Sequence, residues 1–98
     1  MLDPAKIVEI VGEVARSNLK STSVTEVLAE PAIDSEGHEA LRITIVVEPT
    51  AATRLKGDAV LNTLVQIQDR LQEAGEDRFP IVEYATKDEL ENGGDSQS

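Results

Sequence analysis

Leu41-Arg42-Ile43-Thr44-Ile45-Val46-Val47-Glu48 is the stretch that decides the fold. Leu41, Ile43, Ile45 and Val47 alternate with Arg42, Thr44, Val46 and Glu48. Side chains two apart on an extended chain share a side, so the run predicts a strand with one strongly apolar face. Pro49 has no backbone donor and stops it. Just upstream, Asp34-Ser35-Glu36-Gly37 supplies a turn former and a glycine between two strand-like segments, the composition of a hairpin connection. Residues 21–32 are rich in Thr, Ser and Val and predict the hairpin's other strand, with Pro31 at its end or on an edge. In strict alternation Val24 and Leu28 take one face of that strand and Val27 and Ala29 the other, so it is expected to be apolar on both sides for part of its length.

Helical patterns flank the hairpin. Asp3-Pro4 fits an N-cap followed by proline at the first helical position. Ile7, Ile10, Val11 and Val14 then fall on one face, while Glu9, Glu13 and Arg16 point away, predicting a helix to about Ser17 that Asn18 ends in a left-handed conformation. Residues 49–57 read as a loop, and Asp58 as the N-cap of a second helix. That helix carries Val60, Leu61, Leu64, Ile67, Leu71 and Ala74 on its apolar face, with Val65 widening it and Gly75 as its stop. Residues 79–85 hold Phe, Ile, Val and Tyr in a short run that predicts a third strand, Pro80 lying near its start or on an edge. Residues 91–98 are polar and are expected to form a disordered tail.

The order helix, strand, strand, helix, strand predicts one α+β domain over residues 1–90. Two helices cover one face of a three-stranded, mainly antiparallel sheet, and the third strand returns through the second helix to one hairpin edge. The other face, expected to include residues such as Val27 or Val46, needs cover, and a homodimer is the expected means.

Composition bounds the function. The chain has 98 residues, 40% of them hydrophobic, and 19 acidic against 9 basic residues give a net charge of −10. That is enough for one core and a folded domain. The charge opposes direct nucleic-acid binding, which draws on Lys and Arg against phosphates, and two aromatics, Phe79 and Tyr84, make no stacking platform. Small RNA-binding domains of KH type share the mix of helices with a three-stranded sheet. Here, however, glycines stand at 12, 37, 57, 75, 93 and 94, leaving no Gly-x-x-Gly pair to clamp a nucleotide backbone, and no family is assigned. Cysteine is absent and His38 is the single histidine, so neither metal nor cofactor is expected. The N-terminus lacks the pattern of a secretory signal and no apolar run is long enough for a bilayer, giving the expectation of a cytoplasmic protein with no membrane partner.

The acidic residues are unevenly placed: residues 21–48 carry −5 and residues 76–98 another −5. Glu26, Glu30, Asp34, Glu36, Glu39 and Glu48 are therefore the candidate contacts to a basic protein surface, in a small non-enzymatic inhibitor, immunity, antitoxin or adaptor-like protein. The alternative is a small-molecule or anion site using Thr53, Arg54, Lys56 and Gly57 at the start of the second helix, where free N–H groups attract anions. It lacks the Gly-x-x-x-x-Gly-Lys arrangement of a nucleotide loop, and an Asp58 cap would occupy those donors. His38 beside Glu36 and Glu39 reads as an exposed turn residue. Glu83 and Tyr84 could act as an acid–base pair only inside a cleft, and no nucleophile or second acid accompanies them.

Overall fold

The computed structural model describes residues 2–20 and 23–93. Helix α1 (Pro4–Asn18) starts where Asp3 accepts a bond from the Ala5 amide at 3.4 Å, and it buries Ile7, Ile10, Val11, Val14 and Ala15. Asn18 does not end it in a left-handed turn. The cap is Leu19 in an extended conformation, and the Asn18 amide group reaches back to the Val14 carbonyl and across to Gln66. A side-chain bond thus replaces the backbone reversal.

Strands β1 (Val24–Ile33) and β2 (Glu39–Val47) form the expected hairpin, antiparallel, with Gly37 at φ +87° completing its turn. A bulge between Val24 and Glu26 shifts the register. It inserts one residue into the alternation, so Val24 and Val27 both face the core and Leu28 faces out. The strand is apolar on both sides for part of its length, as expected, but the assignment of faces differs: Val24, Val27 and Ala29 belong to the covered face and Leu28 to the open one.

Residues 49–57 are not simply a loop. Pro49 starts a single helical turn, α2 (Pro49–Ala52), as proline at a first helical position readily does. Helix α3 (Gly57–Ala74) follows, capped at its far end by Gly75 at φ +104°. Its inward residues are Thr63, Ile67 and Leu71, whereas Leu61 and Val65 are 59% and 45% exposed. The buried stripe is rotated toward Thr63, whose hydroxyl donates to the Ala59 carbonyl at 2.7 Å and so enters the core satisfied.

Strand β3 (Phe79–Thr86) pairs with β2 in parallel, giving the order β1-β2-β3 with the most apolar strand in the centre. The sheet is mixed, one pairing antiparallel and one parallel, because the α2–α3 crossover returns the chain to the end where β2 began. Leu41, Ile43, Ile45 and Val47 pack with α1 and α3 on one face. Helix α4 (Lys87–Gly93) runs through the first three residues of the expected tail, and residues 94–98 lie outside the described residues. No helix among the described residues is long and apolar enough to cross a membrane.

Candidate functional site

The face of the sheet turned away from α1 and α3 is defined by the pairing register. Across it run Glu26, Val46 and Ala85; Leu28, Thr44 and Glu83; Glu30, Arg42 and Ile81; and Ala32, Ala40 and Phe79. The middle strand contributes Ala40, Thr44 and Val46, all buried between their neighbours. The flanking strands carry the larger apolar groups, and Leu28 and Phe79 are 39% and 58% exposed. Val46 therefore lies on the uncovered face, as expected, but is itself sheltered.

Charge is interspersed with the apolar groups, and the Glu30–Arg42 row crosses the face. Glu26, Glu30 and Glu83 face the same way with Arg42 as the counter-charge, 3.8 Å from Glu30. Glu83 also accepts the Thr44 hydroxyl at 3.3 Å. Tyr84 lies on the opposite face in register with Ile45, so Glu83 and Tyr84 share no cleft and form no acid–base pair.

The six acidic residues expected to act together are only partly gathered. Glu26 and Glu30 lie on the open face. Asp34 folds into the hairpin turn, where one oxygen accepts the Glu36 and His38 amides at 2.9 Å each. The bond from the His38 amide is the chief cause that holds its carboxyl below the usual value. Glu36 and Glu39 stay exposed at this tip. Glu48 is at the far end of β2 and belongs to a different surface. His38 is exposed, its ring 3.6 Å from Asp34 and 3.8 Å from Glu36, and no cluster of three metal-ligating residues occurs among the described residues.

That other surface is a half-open cavity of about 300 Å³ at the Val47 end of the sheet. The end of α1, the start of β1 and the α2–α3 connection wall it, and Glu48 and Ser23 are tied together there by a backbone bond of 2.9 Å. Arg54 and Lys56 line it, and so does Lys20, brought in from the other side. Thr53 and Gly57 do not. Thr53 instead spends its hydroxyl proton on the Thr50 carbonyl at 2.9 Å, closing the α2 turn. Asp58 is not the N-cap of α3. Lys56 holds that position without a side-chain cap bond, and Asp58 falls in the first turn. Lys20 was invisible to sequence reasoning because only the fold places it opposite Arg54 and Lys56.

Comparison with models of known protein families, with curated proteins and with solved structures finds no match to this chain.

Proposed function

We propose that this chain is a small non-enzymatic protein-binding module that docks a basic partner on the uncovered face of its sheet. The observation that supports the reading is the arrangement on that face, with exposed Leu28 on one edge strand, exposed Phe79 and half-buried Ile81 on the other, and Glu26, Glu30 and Glu83 interspersed among them against the single cation Arg42. Exposed apolar groups interspersed with charge mainly of one sign suit a recognition surface: burial of the apolar groups supplies affinity and the carboxylates supply steering and choice of partner. The charge also selects the occupant. Three carboxylates against Arg42 leave the face net negative, so two copies laid face to face repel while a basic protein meets complementary charge.

Two variants test this. Leu28→Ser with Phe79→Ser removes the exposed apolar groups, and Glu26→Lys with Glu30→Lys inverts part of the charge. None of the four residues is buried, so both variants retain the fold. Wild-type protein captures a stoichiometric basic partner at low salt and releases it at high salt, and each variant loses it. A partner retained equally by both variants would refute docking on this face.

A further inference from the structure

We propose that the cavity at the Val47 end of the sheet is a binding site for a small organic phosphate monoester. Lys20, Arg54 and Lys56 all line it, in a chain with only nine Lys and Arg and a net charge of −10. None of the three forms an ion pair among the described residues, in contrast to Lys6, Arg42, Arg70 and Arg78; Arg16 and Lys87 are also unpaired there but lie outside this cavity. Acidic residues outnumber basic ones two to one in this protein, so a pocket that gathers three unpaired cations is the reverse of the background. Three such charges held together repel one another, and an anion between them relieves that repulsion.

Charge and shape select the ligand class. Glu48 also lines the cavity, leaving two net positive charges against the dianion that a phosphate monoester presents at neutral pH. Ala59, in the first turn of α3, contributes to the wall, and no side chain caps that helix end, so the positive end of the helix lies beside the cations. Leu19, Val47 and Leu55 also line it and give part of the wall an apolar character suited to a carbon skeleton. At about 300 Å³ the half-open space is at the lower end of small-ligand pockets and suits a small metabolite. The cavity and the acidic sheet face involve different residues, so this site stands or falls separately from the docking reading.

The test is a titration followed by amide chemical shifts at low ionic strength, with glycerol 3-phosphate, inorganic phosphate and succinate as probes. Glycerol 3-phosphate gives saturable shifts at the Gly57, Asp58 and Ala59 amides. It binds more tightly than inorganic phosphate, which lacks the carbon skeleton, and more tightly than succinate, which lacks the phosphate. Arg54→Ala with Lys56→Ala, both exposed positions, weakens binding by about tenfold or more, as loss of a charge-assisted hydrogen bond does. Lys20→Ala does so independently. Inorganic phosphate binding as tightly as the ester would overturn the assignment of an organic ligand, and equal succinate binding would overturn phosphate. Shifts that never saturate, or that survive in the double variant, would dismiss the site.

Discussion

Glu76 and Arg78 are locked together at the end of α3, with the carboxylate fully buried and accepting the Arg78 Nε at 2.8 Å, its Nη2 at 3.1 Å and its backbone amide at 2.9 Å. The same carboxylate takes the Leu2 amide at 2.7 Å, so one side chain ties the N-terminal segment to the α3–β3 connection. Four donors compensate the loss of water around a charge that would otherwise be costly to bury.

Arg78 is the main reason that the Glu76 carboxyl is pulled from 4.5 down to about 2. Because the folded value lies below the unfolded one, the stabilisation is complete above pH 4.5 and fades as pH falls toward 2. Glu76→Gln should lower stability at neutral pH by about 2 kcal/mol, as loss of charged, buried hydrogen bonds does. It should also flatten the acid limb of a denaturant-measured stability curve. Equal slopes for wild type and variant in that range would contradict this account. Glu13→Gln, at the exposed 2.7 Å pair with Arg70 between α1 and α3, serves as the contrast and should cost no more than about 0.5 kcal/mol.

Two glycines should respond to alanine with opposite signs. At Gly75, φ is +104°, so a side chain is strained and Gly75→Ala should destabilise by about 1 kcal/mol. At Gly12, inside α1, a Cβ would meet only the far end of the Arg16 side chain, at 2.7 Å. That end can swing away, so Gly12→Ala should stabilise by about 0.5 to 1 kcal/mol through helix propensity. Thermal unfolding of the two variants checks both signs at once.

Tyr84 puts its hydroxyl among buried atoms with no hydrogen-bond partner. Burial raises the phenol above its ordinary value, and Thr63 beside it, whose own proton goes to Ala59, offsets this only in part. Removing an unsatisfied hydroxyl exposes no orphan, so Tyr84→Phe should be neutral or stabilising by up to about 1 kcal/mol. A loss of 2 kcal/mol or more would mean that the hydroxyl is bonded in solution.

Ile43 is fully buried at the centre of the middle strand, facing both helices. Ile43→Ala should cost about 3 to 4 kcal/mol, because flanking strands limit the collapse of the cavity left behind. Urea unfolding with an unchanged slope would show that the loss is in the native core rather than in the unfolded chain.

The sequence by itself determined the elements whose cause is local. Alternation from Leu41 to Val47, the Asp3-Pro4 start, the Asp34 to Gly37 turn and the Gly75 stop each depend on neighbours a few residues away, and each lies where the pattern puts it. The α+β order followed from these. Tertiary structure decided what depends on distant partners. The bulge beside Val24 exists only against β2, and it alone sends Val27 inward and Leu28 outward. The parallel placement of β3 follows from the path of the α2–α3 crossover, and the exposure of Leu61 and Val65 from where α3 meets α1 and the sheet. The six acidic residues are close in sequence yet divide between the open face, the hairpin tip and the cavity, because an extended strand carries its residues far apart. Lys20 is remote from Arg54 and Lys56 along the chain and shares their cavity, because packing brings the end of α1 to the start of α3.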